Sequence, residues 1–161
     1  MVFHLAQVNI GDTVAPTDSP QLADFMNGLD HVNAQADAAP GFVWRLQTEE
    51  GNATDLRVFD GAALINMSVW ESLEALRAFV YDNVDHRAYM RRRREWFVKS
   101  ELPFQCLWWV PAGHIPSLDE AEERLTALRD RGPTPFAFTF REHFPPGATT
   151  PVRDDRALCD A

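Results

Sequence analysis

A chain of 161 residues is long enough to bury one well-formed core, and 45% apolar with 24% charged residues is an ordinary globular composition. The net charge of −9 argues against a nucleic-acid partner, which needs Lys and Arg clustered on one face. No apolar run approaches a membrane span, and the opening MVFHLAQVNIG has neither a basic segment nor a small-residue cleavage site, so the expectation is a cytoplasmic protein with no membrane partner.

In chain order, Phe3–Ile10 alternates as a strand, with Phe3, Leu5, Gln7 and Asn9 on one face and His4, Ala6, Val8 and Ile10 on the other. Both faces mix polar with apolar groups, so at least one meets a cavity or a partner. Asp18 or Ser19, followed by Pro20, starts a helix that reaches about Ala38. Leu22, Phe25, Met26, Leu29, Val32 and Ala36 form its buried stripe, with His31 opposite and exposed. After Pro40-Gly41 a second strand spans Phe42–Gln47, placing Phe42, Trp44 and Leu46 on one face and Val43, Arg45 and Gln47 on the other. The polar stretch Glu49–Gly61 contains the turn pair Gly51-Asn52 and reads as a hairpin connection with a short strand at Leu56–Phe59. In the third strand, Ala63–Trp70, the set Ala63, Ile65, Met67, Val69 is cleanly apolar and expected to face the helices. The set Leu64, Asn66, Ser68, Trp70 suits a pocket wall.

Ser72 is placed to cap a second helix that buries Leu73, Leu76, Phe79 and Val80, and Asp82-Asn83 interrupts it. The periodicity restarts at His86 and continues through Tyr89, Met90, Arg93, Trp96 and Phe97 on one side. Arg91–Arg94 points around most of a helix, so it forms no flat basic patch; at least one arginine is expected to turn inward to a carboxylate. Gln105–Val110 is a fourth strand, with Trp108 and Trp109 on opposite faces and Cys106 a small buried hydrophobe. Ser117 and Glu120 are spaced as a capping box for a helix that buries Leu118, Ala121, Leu125 and Leu128 and stops before Gly132. Phe136–Phe140 reads as a short fifth strand. The domain is expected to end near residue 141, and residues 142–161, rich in proline, glycine and charge, to form an extended or disordered tail with Cys159 unpaired. With Cys106, that is too few cysteines, too widely spaced, for a metal site.

The order strand, helix, strand, strand, helix, strand is the ferredoxin-like α+β arrangement, an antiparallel sheet with helices on one face. Its other face would be left open with tryptophan and asparagine side chains in water. Two copies packed sheet to sheet would cover it, so a homodimer enclosing a cavity is expected.

Trp70-Glu71-Ser72, Glu74-Ala75-Leu76 and the later His86 resemble the dimeric α+β barrel superfamily, which includes the antibiotic-biosynthesis-monooxygenase-like proteins. More closely, the stretches His4–Ile10, Pro40–Gln47, Ser68–Tyr81, Arg91–Phe97 and Leu107–Ser117 are similar to a bacterial family of unknown function within it. The resemblance implies a dimeric barrel. It also implies a small-molecule oxygenase that needs no cofactor and acts on an aromatic or polyketide-like substrate. Haem binding and non-catalytic binding of a small apolar ligand are the alternatives.

His86 is the leading candidate for chemistry, as a general base or as a haem ligand. It could equally be a structural histidine held by a backbone carbonyl or paired with Asp82 or Asp85. Asn66 offers both a donor and an acceptor to a substrate oxygen. Trp44, Trp70 and Trp96 are candidates to line the pocket, though aromatics at such positions are often plain core. Arg45, in mid-strand, requires a carboxylate or a ligand anion if buried. In the haem alternative, Arg45 or Arg93 would pair with propionates. No phosphate loop, zinc spacing or dinucleotide fingerprint is present in the sequence.

Overall fold

The structure, a computed structural model, describes residues 1–47 and 64–156. The expected hairpin over 49–61, together with Ala63 and Cys159, lies outside these residues. The strands β1 (Phe3–Gly11), β2 (Phe42–Arg45), β3 (Leu64–Trp70) and β4 (Gln105–Pro111) form an antiparallel sheet in the order β2-β3-β1-β4. The helices are α1 (Ala23–Asp37), α2 (Leu73–Asp82), α3 (Val84–Arg91), α4 (Arg93–Trp96) and α5 (Leu118–Arg131). A single 3-10 turn, Pro20–Leu22, precedes α1. The first four strands with α1 and α2 make the ferredoxin-like unit expected from the order of elements.

Pairing register fixes what each face of the sheet carries. On one face, Trp109, Leu5, Trp70 and Phe42 form a rung, followed by Leu107, Gln7, Ser68 and Arg45, then Gln105, Asn9 and Asn66. On the other, Ala6, Val8, Ile10, Ile65, Met67, Val69, Cys106, Trp108 and Val110 make a dry apolar surface. The helices α1 to α4 lie over the first face and α5 over the second. Ile65, Met67 and Val69 thus meet a helix as expected, but it is α5, while α1 to α4 cover the Asn66 and Trp70 face that was expected to be left open. Alternation identifies two faces, but it does not say which helices each receives.

The second face is therefore covered within the chain. Ala121, Leu125 and Leu128 of α5 pack on it and are all buried. Ser117 Oγ accepts from the Glu120 backbone N–H at 3.1 Å, as a capping residue does. The Glu120 carboxylate goes elsewhere, accepting from Trp108 Nε1 at 2.9 Å and meeting His114 Nε2 at 2.7 Å. That pins the start of α5 to β4. The thiol of Cys106 lies in this layer, and burial pushes its pKa up to about 12. An open sheet face is thus no longer a reason for dimerisation.

The fourth strand is continued at its edge by Phe138, whose backbone exchanges hydrogen bonds with Leu107 at 2.8 and 2.9 Å. This bridge is what becomes of the expected fifth strand at Phe136–Phe140. The segment after Arg141, expected as an extended or disordered tail, carries a small hairpin instead. In it β5 (Glu142–His143) pairs with β6 (Val152–Arg153). Trp109 Nε1 donates to the Phe144 carbonyl at 2.6 Å, and Arg77 Nη1 meets Asp154 Oδ2 at 3.0 Å. Phe144 is only 4% exposed and joins the core of Phe138, Phe140 and Trp70. One buried phenylalanine outweighs the polar composition around it. Phe144→Ala is expected to lower unfolding free energy by about 3 kcal/mol in urea titration, as for other buried Phe truncations; no change would mean the hairpin is not docked.

Candidate functional site

Between the first sheet face and α1 to α4 lies a cavity of about 190 Å³. Its floor is the polar part of the sheet. Gln7, only 3% exposed, donates from Nε2 to Asn66 Oδ1 at 2.6 Å and to Ser68 Oγ at 2.9 Å. Asn9 Nδ2 donates to Gln7 Oε1 at 3.3 Å, and Trp70 Nε1 donates to Ser68 Oγ at 2.9 Å. Buried polar groups need such partners, because an unsatisfied one costs about 1–3 kcal/mol. Asn66 itself is exposed and stands at the mouth.

The walls are aromatic. Trp70 stacks on Phe79 at 5.4 Å between ring centres, and Phe79 meets the His86 ring at 5.2 Å. At the other end Phe25 contacts Tyr89, Trp96 and Phe97 at 6.3, 5.3 and 5.2 Å. Gly28 allows this packing, since a Cβ there would fall 1.3 Å from the Tyr89 hydroxyl. Gly41 is needed for a different reason: it has φ +79 and faces Ala75 so closely that a Cβ would approach to 2.6 Å. It sets the short link between α1 and β2.

His86 is positioned by the junction of two helices. Asn83 ends α2 and caps α3, its Oδ1 accepting from the His86 backbone N–H at 2.8 Å. The carbonyl of Val80, in the last turn of α2, lacks its helical partner because the chain breaks at Asn83. His86 Nδ1 fills that place at 2.9 Å. A carbonyl can only accept, so Nδ1 carries the proton and Nε2 keeps the lone pair. Burial holds the His86 pKa below the ordinary histidine value, with the Val80 bond partly opposing it. The ring is therefore neutral at pH 7. Asp85, its neighbour, points away and accepts from Gln35 Nε2 at 2.7 Å and pairs with His31 at 2.9 Å. Those contacts, His31 first, lower the Asp85 pKa.

Of the residues singled out from the sequence, His86, Asn66, Trp70, Trp96, Arg45 and Arg93 all line the cavity. Trp44 does not. The register shifts between Phe42 and Trp44, so Trp44 pairs with Val69 and packs on the α5 face. The same shift puts Arg45 on the Ser68 rung, where it holds Asp37 with bonds of 2.7 and 3.2 Å. Arg93 lies over the rings of Phe97 and Phe104 at 4.7 and 4.1 Å. In Arg91–Arg94 the arginine bonded to carboxylates is Arg92, to Asp24 at 2.9 Å and to Glu95 at 2.8 Å, and it makes these pairs at the surface rather than turned inward as expected. The residue that sequence reasoning passed over is Gln7. Its signal was an amide two residues from Asn9 in an otherwise apolar strand.

Acidification provides a check on His86. Below about pH 6.5 the unfolded histidine takes up a proton that the folded ring refuses, so stability falls with pH down to the lower folded-state pKa and then levels. Urea titrations from pH 7 downward are expected to show this step in the wild type and lose it in His86→Gln; parallel curves would contradict the assignment.

Among the described residues, no group of three or more His, Cys, Asp or Glu side chains is arranged to hold a metal ion, and no helix is long and apolar enough to cross a membrane. No curated protein matches the chain. Among solved structures, it is similar to SnoaB, a cofactor-independent oxygenase from Streptomyces nogalater. The identity is 17%, over 71% of this chain and 98% of that one, with a TM-score of 0.47. It is also similar to NE2512, a protein of unknown function from Nitrosomonas europaea. There the identity is 13%, over 71% of this chain and 94% of that one, with a TM-score of 0.41. The model of one protein family matches residues 4–154, nearly the whole chain including the C-terminal hairpin, and the chain belongs to that family, described as a domain of unknown function (DUF3291).

Proposed function

We propose that this chain is a small-molecule oxygenase of the cofactor-independent kind, acting on a planar aromatic or polyketide-like substrate. The observation that carries this reading is the fixed tautomer of His86, a lone-pair nitrogen on the wall of an aromatic cavity. Nε2 takes a proton from an acidic C–H of the bound ring system. The resulting carbanion is the electron source for dioxygen. A CH2 group and O2 give a carbonyl and water, so no external reductant is required. Asn66 offers its amide N–H groups to a substrate or peroxide oxygen, since its Oδ1 already accepts from Gln7. Trp70 and Trp96 shape the slot for a flat ligand.

Haem fits these residues poorly. Of the arginines expected beside its propionates, Arg45 is bound to Asp37 in two places, and Arg93 is laid over two phenylalanine rings. A sharp Soret band on adding hemin, lost in His86→Ala, would nevertheless establish it. The homodimer stays part of the proposal on different grounds. Val14 and Val98 are exposed on paired segments beside the cavity lining, where a second copy would cover them. Sedimentation equilibrium checks it, and a monomer would remove it.

Aromatic ligands can be screened by quenching of tryptophan fluorescence and the hits tested for oxygen consumption. His86→Ala is expected to retain binding and to slow turnover by about 10²–10⁴-fold, the usual contribution of a general base. Binding without oxygen consumption in the wild type would favour the non-catalytic alternative.

A further inference from the structure

Ser68 is buried in the cavity floor, at 6% exposure, and its oxygen is fully used as an acceptor. Trp70 Nε1–H can only donate, and it gives its proton to Ser68 Oγ at 2.9 Å. Gln7 Nε2 gives a second at 2.9 Å. A hydroxyl has two lone pairs and one hydrogen, so with both lone pairs occupied the hydrogen is left to donate. With the Gln7 amide in this orientation, the hydroxyl donates to no group among the described residues. A buried donor held this way is an incomplete site, because leaving it unmade costs free energy that a ligand oxygen would recover.

The donor and the base belong to one cavity. The Trp70 ring that fixes Ser68 stacks on Phe79, and Phe79 lies against His86. A flat ligand over this aromatic wall would therefore have a lone-pair nitrogen and a hydroxyl proton within one small space. On the reading of His86 as the base, we infer that Ser68 is a further catalytic residue whose hydroxyl holds the oxyanion formed when a phenolic or enolic substrate gives up its proton. The balance is simple: the substrate O–H bond, or the C–H bond beside a carbonyl, breaks. An N–H bond forms on His86 Nε2, and the charge left on oxygen accepts the Ser68 hydrogen. The substrate class is accordingly a phenol or an enolisable ketone. A neutral hydrocarbon would leave the Ser68 proton unmet. The competing arrangement turns the Gln7 amide so that its carbonyl accepts from Ser68, which leaves no proton for a ligand.

The probe is 4-nitrophenol, whose phenolate absorbs at longer wavelength than the phenol, with 4-nitroanisole as the ether that cannot ionise. The wild type is expected to bind the probe as phenolate below the pH at which it ionises in solution, and to prefer it to the ether. Ser68→Ala should weaken phenolate binding by about ten- to hundredfold, as for a hydrogen bond to a charged group. Ser68→Thr, which keeps the hydroxyl, should restore most of it. Phenolate bound as tightly by Ser68→Ala as by the wild type overturns the Ser68 assignment alone. Binding only as neutral phenol in the wild type, or no binding, overturns the base reading and this inference together. The wild-type comparison of phenol with ether needs no variant, so a Ser68→Ala that fails to fold does not shelter the inference.

Discussion

A strip of amide and hydroxyl side chains inside the sheet decides where helices can pack. Gln7, Asn9, Asn66 and Ser68 occupy adjacent positions on paired strands and hydrogen-bond to one another. Apolar helix surface laid directly on such groups would bury polar atoms without partners. The helices on that side contribute aromatic rings that stand around the strip, and the space between is the cavity. The opposite face has no comparable strip. There Leu125 and Leu128 press onto Met67, Val69 and Trp108, leaving a dry layer. One alternating pattern therefore gives two different interiors, one closed and one hollow.

The chemistry of the hollow side follows from a backbone problem. Helix α2 must end so that α3 can turn back over the cavity, and ending a helix strands carbonyls. Asn83 serves both helices at once, and His86 takes one of the stranded carbonyls. The imidazole is thereby oriented and its tautomer chosen by local chain geometry, with no carboxylate involved. Because the partner is neutral, little opposes the effect of burial, and the ring stays an unprotonated base. A carboxylate in place of Val80 O would have raised the pKa instead. The position of Asp85, turned toward His31 and Gln35, keeps that charge on the outer side of the helix pair.

Much of this was legible in the residues. The order of elements gave the sheet and its helices, the caps at Ser72 and Ser117 were in place, and the break at Asp82-Asn83 marked the junction that orients His86. Asn66, Ser68 and Trp70 read as a pocket wall and form one. The orientation of the faces was not legible, because a period of two is symmetric until something covers one side. Trp44 was assigned to the wrong face by strict alternation, and a one-residue shift in register moved it. The C-terminal hairpin was hidden by its composition. Phe144 and Asp154 are tied to the rest of the chain by Trp109 and Arg77, partners far away in sequence. Gln7 shows the opposite case: its type was unusual for a strand, yet its role emerged only when pairing set it between Asn66 and Ser68.

The account stands on the protonation of one ring. Long-range nitrogen–proton correlation spectra of the wild-type protein at pH 7, assigned through His86→Gln, report which nitrogen carries the hydrogen. The expected result is a neutral His86 with the proton on Nδ1 and an unprotonated Nε2 whose resonance moves when an aromatic ligand binds. A proton on Nε2, or an imidazolium at that pH, would contradict it, because neither form leaves a base facing the cavity.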